Sequence, residues 1–154
     1  MSVTDEDRRH LRAAIAEAFA AKARGDQPYG GVLVAASGEV LATAGATVTT
    51  GNDFAAHGEM NALRAARRDH GMESLRGATM YASGEPCPMC AGAMYWAGIS
   101  RVVYGLDGPV ISRITGLPAD AGRLSCRAAF AAGPRPTIVE GPTLTDEAAA
   151  VFRS

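Results

Sequence analysis

The chain has 154 residues, with 15 basic and 16 acidic side chains and a formal charge of −1. That length suits one domain, residues 1–154, with a sizeable core. The even charge argues against a general polyanion binder, whose affinity rests on clustered lysine and arginine, and 47% apolar residues without a bilayer-length run argue against disorder and a membrane span.

From Asp5 to Arg24, Leu11, Ile15, Ala18 and Phe19 recur at helical spacing behind an acidic first turn, and Gly25 ends that helix. The run Met1–Arg9 is too charged and apolar-poor for a signal peptide. Val32–Val34 and Val40–Thr43, separated by Ser37-Gly38, predict a β-hairpin. A loop rich in Thr, Gly and Asn (45–53) leads to a second helix, Ala55 to Asp69, closed by Gly71. Ala78–Ala82 reads as a strand, Cys87–Ala97 as a third helix after Pro86, and Arg101–Gly105 as another strand. Beyond Asp107, Gly and Pro break the pattern; Pro136–Glu140 reads as a strand and Asp146–Phe152 as a short helix. Strands alternating with helices predict a three-layer α/β/α domain. The order sets two helix N-termini after loops, at His57 and at Cys87.

Those two starts carry His57-Gly58-Glu59 and Pro86-Cys87-Pro88-Met89-Cys90. Three positions apart in a first helical turn, Cys87 and Cys90 put both sulfurs on one face, where free backbone N–H groups favour thiolate over thiol. A neutral His57 imidazole would supply a third metal ligand. Two cysteines and one histidine leave a zinc ion one open position, at which a bound water becomes acidic near neutral pH. Glu59 is not needed as a ligand and is free to move protons. Two other readings compete. As a redox pair, the cysteines leave His57 and Glu59 without a role. A closed structural zinc needs a fourth donor, for which Cys126, His70 and His10 are the obvious choices. Cys126 has no partner motif and reads as a small buried apolar residue, and so few cysteines suit a reducing, cytoplasmic setting rather than a disulfide scaffold.

H-x-E followed by P-C-x-x-C is the signature of zinc deaminases. At these residues the chain resembles the cytidine and deoxycytidylate deaminase superfamily. Within it, the run from Tyr81 to Trp96 (YASGEPCPMCAGAMYW) is similar to bacterial guanine deaminases and tRNA adenosine deaminases. The resemblance is close from about Gly30 to Gly105. It implies a cytidine deaminase-like α/β fold with a central mixed sheet, one Zn²⁺ on His57, Cys87 and Cys90, and Glu59 as the catalytic proton shuttle. The implied reaction is hydrolytic deamination, in which water adds at an amino-bearing ring carbon and ammonia leaves. The resemblance also implies a homodimer, with the helix after the zinc cysteines near the subunit contact.

Three departures bear on the substrate. Ala46 stands where the family commonly places an asparagine that hydrogen-bonds the substrate, leaving Asn52 as a candidate replacement. Phe54 follows Asp53 where the family usually has proline; it could stack on a flat heterocycle or serve as core or dimer contact. Gly58 replaces the alanine of most purine-type members, and fungal cytosine deaminases share that glycine. The acidic, aromatic tail segment of guanine deaminases is not found, so Asp107, Glu140, Asp146 and Phe152 become candidate polar or stacking contacts, Asp107 foremost. Tyr95 and Trp96 read as core or interface.

A tRNA deaminase needs phosphate-facing cations. Arg64, Arg67 and Arg68 share one helix stripe, which reads first as a solvated face. The expectation is therefore a deaminase of a free nucleobase or analogue: a guanine-like purine, a cytosine-like pyrimidine, an amino-triazine or a modified base. The alternatives are a tRNA adenosine-to-inosine deaminase and a non-catalytic protein with a structural zinc.

Overall fold

Thr4 starts the first helix. Its hydroxyl accepts the Asp7 N–H at 3.1 Å, and the Asp7 carboxylate accepts the Thr4 N–H at 2.8 Å, a reciprocal cap. Helix α1 runs Asp5–Ala23, and Gly25 takes a φ of +91° just beyond it. Leu11, Ala14, Ile15 and Ala18 face inward, while Phe19 lies at the edge of that stripe, 39% exposed. The computed structural model describes residues 2–116 and 124–154.

Strands β1 (Gly30–Val34), β2 (Val40–Gly45), β3 (Thr79–Gly84), β4 (Arg101–Leu106) and β5 (Ile138–Glu140) form one sheet in the order β2-β1-β3-β4-β5. β1 pairs antiparallel with β2 and β3, whereas β3–β4 and β4–β5 are parallel, so the sheet is mixed. β1 is buried along its whole length, which a Gly-Gly-Val-Leu-Val run with no charge permits.

Helices cover both faces. On one side α2 (Gly58–His70), α3 (Pro88–Ala97) and α5 (Cys126–Ala131) pack Leu63, Ala66, Cys90, Met94 and Phe130 against Leu33, Met80 and Val102. On the other, α1, α4 (Gly108–Thr115) and α6 (Thr145–Ala150) pack Leu11, Ile15, Ile111 and Ala148 against Val32, Tyr81 and Val103. The three-layer α/β/α arrangement around a central mixed sheet is therefore as expected.

Several boundaries differ from the sequence pattern. α2 starts at Gly58 rather than Ala55, because Ala55 and Ala56 close a turn on Asp53: Ala55 N–H donates to Asp53 Oδ1 at 2.9 Å and Ala56 N–H to Asp53 O at 3.1 Å. A short 3₁₀ turn, Met72–Leu75, precedes β3. α4 and α5 are additions to the expected elements. Each is capped by a side chain, Asp107 accepting the Val110 N–H at 3.1 Å and Ser125 accepting the Ala128 N–H at 3.1 Å. Among the described residues, no helix is long and apolar enough to cross a membrane.

Candidate active site

The two helix starts named from sequence meet at the end of the sheet where β3 and β4 finish, the usual place for ligands in open α/β sheets. His57 is the N-cap of α2 and Cys87 the N-cap of α3, with Pro88 in that helix's first turn. α2 reaches its position because no side chain intervenes between it and β1. A Cβ built on Gly58 would fall 2.9 Å from the Gly30 Cα, and one on Gly31 would fall 3.3 Å from the Glu59 Cα. Gly31 and Gly58 thus set α2 backbone directly on β1 backbone.

His57 Nδ1 lies 3.6 Å from Cys87 Sγ and 3.5 Å from Cys90 Sγ, and the three donor atoms lie within 4.8 Å of one another. Zinc bonded to sulfur at about 2.3 Å and to nitrogen at about 2.05 Å, with a tetrahedral angle, spaces S and N about 3.6 Å apart. The donor set and its spacing therefore fit zinc. The cysteines share a hydrogen bond that splits their acidities. The Cys90 thiol holds the Cys87 thiol well below its ordinary range, and the same bond, with burial, pushes Cys90 above it. One thiolate is thus ready at the helix N-terminus.

Glu59, the second residue of α2, is buried beside this group. Burial is the main cause that raises its carboxyl above the ordinary range; its own backbone N–H opposes, and the Cys87 thiolate adds to the rise. No lysine or arginine pairs with it among the described residues.

The other candidates are placed less centrally. Ala46 is fully buried, its N–H donated to Tyr29 O at 3.0 Å and its carbonyl taken by Arg24 Nη2 at 2.9 Å, so its methyl faces no open space. Asn52 is exposed in a turn with a φ of +50°. Phe54 is 84% exposed, which rules out a core role. Asp107 spends one carboxylate oxygen capping α4. Phe152 sits edge-on to Tyr29 at 5.8 Å, and Asp146 is exposed while Glu140 is half-buried in β5.

Cys126 is fully buried, as a small apolar residue would be, and its N–H donates to Glu85 Oε2 at 2.9 Å. His10 packs on the Tyr81 ring at 5.0 Å and His70 ends α2, so neither joins the donor set, which comprises His57, Cys87 and Cys90 alone among the described residues. Arg64 pairs with Asp53 at 3.6 Å and Arg68 with Asp69 at 2.8 Å on a solvated face. Tyr95 is partly buried under the Arg135 guanidinium, whereas Trp96 is 86% exposed.

Sequence reasoning missed the residues that hold the loop before His57. The Asp26 carboxylate accepts the N–H groups of Thr49 and Thr50 at 3.0 and 2.9 Å, and the Thr50 hydroxyl at 2.8 Å. Asn61 binds the loop from the opposite side. Asp-Gln-Pro after Gly25 is a turn signal, but nothing local to it marks Asp26 as an anchor.

A zinc-fitted donor set on an α/β/α sandwich, with a buried glutamate beside it, marks the class of metal-dependent deaminases. The chain belongs to the cytidine and deoxycytidylate deaminase family: residues 4–106 match the family's zinc-binding region. It is 33% identical over 151 residues to a probable cytosine deaminase of Schizosaccharomyces pombe, covering 95% of this chain and 90% of that one. It is 42% identical over 80 residues to the guanine deaminase of Bacillus subtilis, covering 52% of this chain and 51% of the relative, so that match spans only half of each. A solved structure from a study of A-to-I editing by tRNA:A34 deaminases superposes with a TM-score of 0.76 at 32% identity, covering 94% of this chain and 99% of that one.

Proposed function

We propose that the chain, acting as one catalytic domain, hydrolytically deaminates a free aminated heterocyclic base, with one zinc ion per chain held by His57 Nδ1, Cys87 Sγ and Cys90 Sγ. The base is a guanine-like purine, a cytosine-like pyrimidine, an amino-triazine or a modified relative. The observation that carries this is the spacing of 3.5 and 3.6 Å from one imidazole nitrogen to two sulfurs, with buried Glu59 alongside. Bound there, zinc would acidify a water and polarise it for attack.

Glu59 does the proton work. Its carboxylate accepts a proton from the attacking water and delivers it to a ring nitrogen, then takes a second proton from the new hydroxyl and passes it to the departing amine as the carbonyl forms. A carbon–oxygen bond forms, the carbon–nitrogen bond breaks, and ammonia leaves. Burial suits this role, because it raises the carboxyl's proton affinity above that of an exposed glutamate. Asn52 and Phe54 border the approach from the loop before His57, Phe54 with its ring free to stack on a base. Ala46 contributes no polar group.

A free base is favoured over tRNA because Arg64 and Arg68 are spent on Asp53 and Asp69 and the net charge is −1. The tRNA reading draws its support from the near full-length match to a tRNA:A34 deaminase structure. We place the protein in a reducing, cytoplasmic setting, where free Cys87 and Cys90 persist as ligands.

It works as a homodimer through α3. Exposed Trp96, with Met72, Arg76, Tyr95 and Pro136, lines a hollow of about 620 Å³, a partly apolar surface suited to two-fold pairing. Ammonia release by the zinc-loaded protein across free bases, amino-triazines, nucleosides and a tRNA, with Glu59→Ala as control, tests the reading. Turnover of a free base is expected, lost in the variant. Turnover of tRNA alone would reverse the substrate assignment.

A further inference from the structure

The loop between β2 and α2 folds back on itself. Its ends are tied where Thr47 N–H donates to Ala56 O at 2.9 Å, and inner turns are closed by Gly51 N–H to Thr47 O at 2.8 Å and Asp53 N–H to Val48 O at 3.1 Å. Compact loops with close ends of this kind are held by their own contacts and often carry function. Asp26 and Arg24 fix the loop to the far side, on the connection after α1. Those anchors say nothing about where the loop sits relative to the helix that carries Glu59.

Asn61 supplies that register. Its side-chain amide donates to Gly45 O at 3.0 Å and Thr47 Oγ1 at 2.9 Å, with Ala56 O at 3.4 Å sharing a hydrogen. An amide nitrogen has two hydrogens, so both are engaged and the third contact is a shared one. The three acceptors flank the neck of the loop, on either side of Ala46 and immediately before His57. Asparagine is a poor interior helix residue, and its presence in the first turn of α2, two positions after Glu59, is offset by these bonds.

We infer that Asn61 is a positioning residue which clamps the loop of residues 46–56 onto α2 and thereby sets affinity for the base. The clamp rests on the reading above that this loop borders the base site. Asn61 touches no reacting atom. It holds the neck at a fixed distance from Glu59, so that Asn52 and Phe54 meet the ring in one arrangement rather than many.

The test uses the zinc-loaded full chain with Asn61→Asp, which keeps the shape but turns the donor into an acceptor facing three acceptors, and Thr47→Val, which removes one acceptor. In Asn61→Asp the amides of Thr47, Gly51 and Asp53 should exchange with solvent about tenfold faster or more, and KM should rise about tenfold with kcat within about threefold of wild type. Thr47→Val should raise KM about threefold, and decides the matter if Asn61→Asp does not fold. Zinc content should stay at wild-type level in both. A folded Asn61→Asp with wild-type exchange, or with a lowered Tm but unchanged KM, would overturn the clamp. Should the wild type deaminate no base, the functional reading fails, while the exchange measurement still decides whether Asn61 sets the loop.

Discussion

Two buried polar clusters occupy opposite ends of the same pair of strands. Where β3 and β4 begin, the Asp7 carboxylate accepts Arg101 Nη1 at 2.7 Å and Nη2 at 3.0 Å, the Tyr81 hydroxyl at 2.7 Å and the Thr4 N–H at 2.8 Å. Where they end, Cys87, Cys90, His57 and Glu59 converge on one point. In the first cluster charge is matched by charge, and the Arg101 guanidinium, ahead of the other bonds, holds Asp7 far below the usual carboxylate range. In the second, no lysine or arginine among the described residues balances the acidic groups, and burial drives Glu59 the other way. A balanced cluster serves stability, and an unbalanced one stores reactivity.

Changes at the reactive end should abolish turnover and spare the fold. Glu59→Gln should lower kcat by about a thousandfold or more, measured as ammonia release, with zinc content kept. Calorimetry should find its Tm no lower than wild type, because a costly buried carboxyl has gone. A large fall in Tm would mean that Glu59 belongs to the structural kind of cluster. Chelation should also end turnover and reduce Tm, since a metal bound only by the native state stabilises it by mass action; restored zinc should return both.

At the balanced end the pattern should invert. Asp7→Asn leaves Arg101 buried without its counter-charge and should cost about 3 kcal/mol in urea unfolding, with turnover per folded molecule unchanged. The same contrast has a pH signature. Asp7 is lowered from its ordinary 3.8, so its contribution is complete above that value and is lost as pH falls through the lower folded-state pKa. Wild-type stability should therefore drop below pH about 4 more steeply than that of Asp7→Asn. An equal slope in the two proteins would deny Asp7 its part in acid unfolding. The smallest effect belongs to Gly58→Ala, whose new Cβ meets Gly30 backbone at 2.9 Å. It should cost about 1–2 kcal/mol, and crystallography should show α2 moved outward from β1.

What was legible in the sequence followed from short-range chemistry. The starts of α2 and α3 could be read because a histidine and a proline-flanked cysteine pair fall where loops give way to helical spacing. The donor set followed from those starts. α4 and α5 escaped notice because they are short and lie in a region where Gly and Pro recur, although Asp107-Gly-Pro and Ser125 are cap signals in hindsight. Asn61 was not legible at all. Two of its acceptors lie 16 and 14 residues back along the chain, and no local pattern links an amide to a distant loop neck. Nor could apolar character alone tell the exposed Trp96 and Phe54 from core residues such as Met94.

Glu85 precedes the metal-site turn by two residues, and its two oxygens receive the Gly108 N–H at 2.9 Å and the Cys126 N–H at 2.9 Å. Those amides open α4 and α5, so one carboxylate is the mooring for both ends of the stretch between them. The two helix starts are therefore coupled through one side chain. Glu85→Ala should loosen both helix starts together, read as faster exchange of the Gly108 and Cys126 amides.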